Sequence, residues 1–430
     1  MKVFFYTLGC KVNQYDTQAM LEAFASKGHT AVGSDEPADI YVINSCTVTA
    51  ESDRKTRQAV RRFKKQNPES LVILTGCMPQ AYPEEADSLS QADIVLGNKN
   101  YPDLLDLVEE YFSFGQRRTM ISPHKSGEPF ELAALTGFDQ RTRAIVKIEE
   151  GCDRFCSYCI IPYARGRVRS KPLDQLEKEI SSLAKAGFLE LVLVGINLSA
   201  YGSDFGASLF DAVKTACYFD SVKRVRLGSL EPQSLNDSLI EQLAELEKLC
   251  PHFHISLQSG CDKTLKAMNR GYSTDDFRRV CNKLRQTFPD CTLTTDVMVG
   301  FPGESDQDFK DSLEFIKEIA FEKVHVFPYS VRPGTKAEKM PNRVLNAEKE
   351  KRSRLMAAAA QISRTSFLQE QVGKVLEILV EEEDGSGYSQ GYTANYTHVR
   401  IKGAAPKPGN FCRVKIEDAD DDFCYGKVID

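Results

Sequence analysis

Three cysteines in the run Gly151-Cys152-Asp153-Arg154-Phe155-Cys156-Ser157-Tyr158-Cys159 place three thiolates on one loop, and no fourth cysteine follows nearby. Thiolates are soft ligands, so the first chemistry to consider is metal binding. A cube of four irons and four sulfides held by only three thiolates keeps one iron open to an outside ligand, as a catalytic metal site must. Two plainer readings stand beside it: a structural zinc ion completed by a distant residue, and cysteines that are merely buried. Zinc ribbons pair two C-x2-C knuckles, and a second knuckle is missing here, so the cube is the stronger reading.

Three further cysteines share another pattern. Short apolar, β-rich runs at Val3 to Leu8, Ile40 to Asn44 and Leu71 to Leu74 each lead into a cysteine loop: Leu8-Gly9-Cys10, Asn44-Ser45-Cys46 and Thr75-Gly76-Cys77. The runs read as buried parallel strands, and the stretches between them, including Gln18 to Lys27 and Ser52 to Gln66, are long enough for helical crossovers. That pattern specifies a doubly wound α/β unit. Its strands end on one edge, where ligands bind, so cysteines 36 and 31 residues apart in sequence meet in space. A second three-thiolate metal site is expected there. Cys217, Cys250, Cys261, Cys281, Cys291, Cys412 and Cys424 show no such arrangement and read as small structural residues.

These loops need elements to position them. Beyond a linker near Gly127 to Asp139, six strand-like runs alternate with helical crossovers: Ala144 to Ile148, Leu191 to Ile196, Val225 to Leu227, Phe253 to Leu257, Thr294 to Val299 and Val324 to Pro328. Six β/α units make an incomplete version of the eight-unit barrel, whose reactive residues sit on loops after the strands. The Cys152 loop follows the first run. From about Gln371 the pattern changes to short strands with glycine-bearing turns, at Val375 to Val380, Thr393 to Ile401, Phe411 to Ile416 and Cys424 to Ile429. The expected architecture is α/β throughout the first two parts. A doubly wound parallel-sheet domain (1–136) precedes a partial (β/α)6 barrel (137–369), and a small antiparallel β-barrel (370–430) follows.

The chain has 430 residues, 27% charged and 42% apolar, a balance for a soluble protein of two or three domains. Its net charge of -6 does not advertise a nucleic-acid binder, so RNA contact must come from a local patch. Seven basic and no acidic residues lie between Arg54 and Lys65, among them Lys55, Arg57, Arg61 and Arg62. Arg165, Arg167 and Arg169 follow the other cysteine loop. Two basic stretches, each beside a metal site, outline a place for a polyanion. If together they neutralise around five phosphates, log affinity falls with log salt at a slope of about -3 to -4. From Lys374 onward, seven basic residues face eleven acidic ones, with acidic runs at Glu381 to Asp384 and Asp420 to Asp422. RNA contact there would need Arg400, Lys402 and Lys407 on one side, and a basic protein is the competing partner. Thirteen cysteines without a signal peptide suit a reducing cytoplasm, and no stretch approaches the length needed to span a bilayer.

The Cys152, Cys156, Cys159 spacing resembles that of the radical S-adenosylmethionine (SAM) enzymes. With Cys10, Cys46 and Cys77 and the three-domain order, the whole chain is similar to the methylthiotransferases of that superfamily. The resemblance implies two 4Fe-4S clusters, one on each cysteine trio, with SAM as radical source and methyl donor. It implies a SAM cradle at strand ends: Tyr158 near the adenine, Gly195 and Asn197, Ser229 and Glu231 of Ser229-Leu230-Glu231-Pro232, Gln258 of Gln258-Ser259-Gly260, Gly300 of Val299-Gly300-Phe301-Pro302-Gly303-Glu304, and Phe327. Ordinary strand-to-helix turns explain the glycines equally well. The C-terminal barrel resembles the TRAM domain, an RNA-binding appendage.

Such enzymes attach a methylthio group to an unactivated carbon, which has no acidic proton for a general base to remove. The subgroups differ at the first cysteine. Gly9-Cys10-Lys11-Val12-Asn13-Gln14 looks like the enzymes acting on threonylcarbamoyladenosine next to the tRNA anticodon. Isopentenyladenosine enzymes tend to show Gly-Cys-Gln-Met-Asn, and those acting on a ribosomal-protein aspartate Gly-Cys-Pro-Lys-Asn. The implied partners are the tRNA anticodon stem-loop and a low-potential electron donor such as flavodoxin or ferredoxin. Lys11 or a nearby arginine is the candidate partner for the threonyl carboxylate. Gln14, Asp16 and Arg270 read as substrate contacts or as a cap and a helix-end charge. The reading from another class is a redox-sensing RNA-binding protein, which has no need for an open iron.

Overall fold

The computed structural model describes all residues except 131–134, 139–140, 384, 386, 404 and 430. Asp139 of the expected linker and Asp384 of the acidic run therefore lie outside the described residues.

The first part comprises β1 (Lys2–Thr7), α1 (Lys11–Ser26), β2 (Thr30–Ala31), β3 (Ile40–Ser45), α2 (Ala50–Gln66), β4 (Leu71–Gly76), α3 (Cys77–Ala81), α4 (Pro83–Asp87), β5 (Ile94–Leu96), α5 (Leu104–Phe114) and β6 (Arg118–Met120). The strands form one parallel sheet in the order β2-β1-β3-β4-β5-β6. β3 and β4 are buried at every position, which is why their sequences are continuously apolar before the polar strand ends. On one face Ala59, Val60 and Phe63 of α2 cover Tyr41, Ile43, Val72 and Leu74. On the other, Met20 and Phe24 of α1 and Leu104, Leu107 and Val108 of α5 cover Val3, Val42, Ile73 and Ile94. Helices on both faces make the sheet doubly wound. The Thr49 hydroxyl caps α2 by accepting the Ser52 N–H.

The middle part contains β7 (Arg143–Lys147), β8 (Glu149–Glu150), α6 (Ile161–Arg165), β9 (Arg169–Ser170), α7 (Leu173–Lys185), β10 (Glu190–Val194), β11 (Arg224–Leu227), β12 (Ser229–Leu230), β13 (His252–Ile255), β14 (Thr292–Val299) and β15 (Lys323–Pro328). Parallel pairs join β7, β10 and β11, and then β12, β13, β14 and β15. Only Gly228 separates β11 from β12, so one chain run borders both sheets, and the two curve into a six-unit partial barrel. Alternate residues of these strands face outward: Ala144, Val146, Leu191, Leu193, Val225, Phe253 and Leu293 pack under Leu176, Ile180, Leu183, Phe277 and Leu284. The inward set mixes Ile145, Val192 and Val194 with many polar residues. Glu190 is ion-paired with Arg143, Arg224 and Arg226. His254 bonds Thr294 at 3.0 Å and lies 3.4 Å from Asp296. A packed barrel fills its interior with branched apolar side chains, so this lumen is built for a polar guest.

The helix Asn346–Gln369 packs along β15 and leads into five strands, β16 (Val375–Glu383), β17 (Tyr388–Thr393), β18 (His398–Lys402), β19 (Phe411–Ala419) and β20 (Cys424–Val428), which close into a barrel. The single strand expected from Thr393 to Ile401 is instead the end of β17, a turn and β18. Tyr396 takes a left-handed backbone (φ 69°), which no pattern of alternation reveals. That turn docks into the foot of the larger barrel. Arg226 donates to the carbonyls of Thr393 and Ala394, Arg224 to those of Tyr392 and Glu377, and Asn395 to that of Asp290. Tyr396 stacks on His252 with ring centroids 4.6 Å apart.

Candidate metal centres and substrate lumen

β1, β3 and β4 are neighbours in the sheet, so the loops after them bring Cys10, Cys46 and Cys77 to one edge. The glycines before Cys10 and Cys77 are required by that crowding. At Gly9 (φ 115°) a Cβ would stand 2.9 Å from Cys46 Cβ, and at Gly76 (φ 98°) 2.4 Å from the Ser45 carbonyl oxygen. Burial pushes the Cys77 thiol up to about 12, with Cys46 and Cys10 among the charges it feels. Cys46 is raised in the same way.

The second trio lies on the loop between β8 and α6. Gly151 (φ 85°) lets it pass the Arg167 carbonyl, and Phe155 (φ 47°) turns it between ligands. The loop is tied down by Cys152 N–H to Gly166 O at 3.0 Å, Ser157 N–H to Met268 O at 2.9 Å and Ala337 N–H to Ser157 O at 2.7 Å. Burial pushes Cys152 and Cys159 up to about 12. All six cysteines are free thiols. Cys77 feels the charges of Cys46 and Cys10, and Cys159 those of Cys156 and Cys152, so each trio is gathered at one place, and three soft thiolate donors suit an iron–sulfur cube with one iron left open.

A guanidinium touches a sulfur of each trio. Arg270 donates to Cys156 Sγ at 3.3 Å, to the Glu231 carboxylate at 2.6 Å and to the Ser256 carbonyl at 3.1 Å. It is therefore a partner of the cysteine loop and not a helix-end charge. Arg165 donates to Cys77 Sγ at 3.2 Å, Asp16 at 2.8 Å, Glu150 at 3.0 Å and Asn13 Oδ1 at 3.3 Å, while Lys147 completes the network through Asp16 at 2.6 Å and Glu150 at 3.0 Å. Asn13 Oδ1 also accepts from the Cys10 thiol at 3.4 Å. Arg165 sits six residues past Cys159 and so straps one cysteine loop to the other. The expectation that it meets a tRNA phosphate is corrected: it is 2% exposed, with its donors taken by protein. Asp16 is likewise committed to this network.

The residues expected around SAM lie at the strand ends, beside the Cys152 loop or across the lumen from it. Asn197 donates its backbone N–H to Glu149 Oε2 at 2.7 Å, yet Asn197 Oδ1 and Glu149 Oε1 are buried acceptors without a partner. A ligand with N–H or O–H donors would satisfy both, so the cradle fits a molecule such as SAM. Glu231 faces Arg270, Ser229 is exposed, and Gln258 (φ 68°) joins β14 through Asp296 O and the Met298 N–H. Tyr158 packs edge-on to Phe301, which follows Gly300, and Phe327 is 44% exposed on β15. Two glycines have internal reasons: a Cβ at Gly195 would meet Glu149 Oε2 at 2.5 Å, and one at Gly300 Lys349 Cγ at 2.4 Å.

On α2 the basic run is partly neutralised by a residue one turn ahead of it. Glu51 pairs with Arg54 and Lys55, and Arg57 pairs with Glu85. Arg61, Arg62 and Lys65 are exposed. Arg167 is exposed beside Asp153. Arg400 and Lys402 share one side of β18, where Arg400 lies over the Phe423 ring at 4.2 Å.

Sequence reasoning missed the lumen. Lys11, itself exposed, lies at it in the field of Arg143, Arg226 and Tyr396, and the protein crowded around its ammonium lowers its pKa. The signal was present in Arg224-Val225-Arg226 and His252-Phe253-His254, where charged or polar residues alternate with apolar ones along the strand runs.

Comparison with known proteins follows the same division. Residues 146–316 match the Radical SAM superfamily, residues 2–97 the Uncharacterized protein family UPF0004, and residues 369–429 the TRAM domain. A threonylcarbamoyladenosine tRNA methylthiotransferase of Aquifex aeolicus is 38% identical, covering 94% of this chain and 97% of its own. Its Bacillus subtilis counterpart is 38% identical over 99% of this chain and 96% of its own. A tRNA-2-methylthio-N(6)-dimethylallyladenosine synthase of Pelotomaculum thermopropionicum is 34% identical over 96% and 94%. The radical SAM methyltransferase TsrM of Kitasatospora setae shares the fold, with a TM-score of 0.58 at 13% identity over 78% of this chain and 77% of that one.

Proposed function

The chain belongs to the radical SAM methylthiotransferases, and from that premise we propose that it converts threonylcarbamoyladenosine next to the tRNA anticodon to its 2-methylthio derivative. The observation that carries this is the pairing of two cysteine trios, strapped together by Arg165, at the mouth of one polar lumen. Residues 1–136, 137–369 and 370–430 are its auxiliary-cluster, radical SAM and TRAM domains.

A 4Fe-4S cluster and SAM are the family's cofactors, and together they supply the carbon radical that removes hydrogen from the unactivated adenine carbon. Cys152, Cys156 and Cys159 hold that cluster. Arg270 holds Cys156 and Glu231 in register, while Asn197 and Glu149 offer acceptors to SAM. Cys10, Cys46 and Cys77 would hold a second cluster beside the place where the base sits. Tyr158, Gly195, Ser229, Gln258, Gly300 and Phe327 shape the SAM cradle. Lys11, Arg54, Lys55, Arg57, Arg61, Arg62 and Arg167 face the tRNA. The electron comes from a low-potential donor such as flavodoxin or ferredoxin, in the cytoplasm. No helix among the described residues is long and apolar enough to cross a membrane.

Anaerobic iron and sulfide quantitation tests the two-cluster reading. Replacing either trio with alanine should remove about half the iron of the intact protein, and a single cluster in the intact protein would refute it. Nucleoside analysis of tRNA from a deletion strain tests the substrate: the 2-methylthio form of threonylcarbamoyladenosine should disappear, and its persistence would reject the assignment.

A further inference from the structure

Among the described residues, Lys11 stands exposed at the lumen with its ammonium open to a guest, while the arginines around it are paired. Arg226 is paired with Glu190 at 2.8 Å, Arg143 with Glu381 at 2.5 Å and Arg224 with Glu377 at 3.0 Å. Lys11, beside Cys10 in the first turn of α1, has no hydrogen bond or ion pair among the described residues. Arg143 and Arg226 add to the positive field at its ammonium, and His252 and His325 also face it. His252 is buried, with Nδ1 unpartnered.

The floor of this recess comes from another domain. Tyr396, on the turn between β17 and β18, lies under the guanidinium groups of Arg143 and Arg226, with centroid distances of 5.4 and 4.7 Å, and stacks on His252. Its left-handed backbone is secured by its own N–H to Thr393 O at 3.1 Å and by Thr397 N–H to Thr393 Oγ1 at 2.9 Å. A turn that merely sealed the barrel would not need a bulky residue in that conformation, and such strain gathers where a side chain must be aimed.

We propose that this recess, formed by Lys11 of the first domain, Arg143, Arg226 and His252 of the barrel and Tyr396 of the C-terminal domain, seats the carboxylate carried by the side chain on the target adenine. The inference rests on the tRNA reading and adds which part of the modified base is recognised, and by what. A carboxylate supplies the missing negative charge at Lys11. C6, whose amino nitrogen carries that side chain, and C2 both flank N1 of the adenine, so a base anchored at Lys11 is held next to Cys10 and its partner thiols. The C-terminal domain is thereby part of the specificity pocket as well as a tRNA contact. A backbone phosphate has similar chemistry, and the test separates the two.

Fluorescence anisotropy on the full-length, reconstituted protein would compare anticodon stem-loops carrying threonylcarbamoyladenosine, its methyl ester, or unmodified adenosine. One charge-assisted hydrogen bond contributes about 1.5–3 kcal/mol, so the acid should bind at least about tenfold tighter than the ester. Lys11→Met should bring the acid down to the level of the ester and leave the adenosine loop unchanged, and Lys11→Arg should restore most of the difference. Tyr396→Ala should narrow the same ratio, with a thermal melt reporting its folding. Equal weakening of all three loops by Lys11→Met would assign Lys11 to a phosphate and overturn the proposal. An unchanged acid-to-ester ratio in Lys11→Met would overturn it too. Failure of the wild-type protein to bind any loop would sink the tRNA reading itself.

Discussion

Replacing Arg165 with methionine keeps the length and apolar stem of the side chain and removes its charge and donors. The guanidinium is 2% exposed and meets Asp16 and Glu150 at 2.8 and 3.0 Å, as well as Cys77 Sγ at 3.2 Å. Removing one member of a buried ion pair costs about 3–5 kcal/mol, because the partner is left charged without compensation. Here Lys147 keeps its contacts with both carboxylates, which places the loss near the lower figure, about 3 kcal/mol. Against a total stability of about 5–15 kcal/mol, that is readily measured by urea unfolding of the reduced apo-protein. Arg167→Met, at a side chain 54% exposed, is the control and should change stability by less than about 0.5 kcal/mol. The pH dependence gives a second readout. Arg165 and Lys147 hold the Glu150 carboxyl well below its ordinary 4.5, so its contribution is present above that value and lost as pH falls below it. In Arg165→Met the Glu150 carboxyl moves back towards its ordinary value, so the acid-side loss should be smaller and should end at a higher pH. A stability loss below about 1 kcal/mol, with an unshifted acid limb, would refute the claim that this network joins the two cysteine-bearing domains.

Gly76→Ala should cost more than about 2 kcal/mol in urea unfolding and lower iron incorporation at the Cys77 trio, because the backbone is left-handed and Ser45 O stands 2.4 Å from the new Cβ; wild-type iron content would count against that packing. Glu322 is raised by burial to about 7, so the folded protein binds its proton more tightly than the unfolded chain and stability falls as pH rises from 4.5 to 7. Glu322→Gln keeps the bond from the Leu293 N–H and should be more stable by about 2–3 kcal/mol at pH 8, with a flatter profile; no gain there would disprove the assignment. Removing Arg61 and Arg62 together should reduce the salt slope of tRNA binding by about 1.5, and an unchanged slope would place the RNA on another face.

Local sequence by itself determined the cysteine trios, the order of the three parts and the carboxyl-edge placement of the first three cysteines. Ligand type, strand-end glycines and apolar runs are local properties, and parallel connectivity forces the ends of β1, β3 and β4 together. It also carried the lysine after Cys10. Other features depended on what lies across a domain boundary. Arg165 reads as a surface charge in a basic run until Asp16, Asn13 and Cys77 close over it, and Tyr396 reads as one residue of a strand until its turn enters the barrel. Glu51 spends part of the charge of α2 one turn away. The reason is physical: whether a charge faces water, a carboxylate or a cysteine sulfur is set by residues distant in sequence, and only tertiary packing brings them within the few ångströms over which hydrogen bonds act.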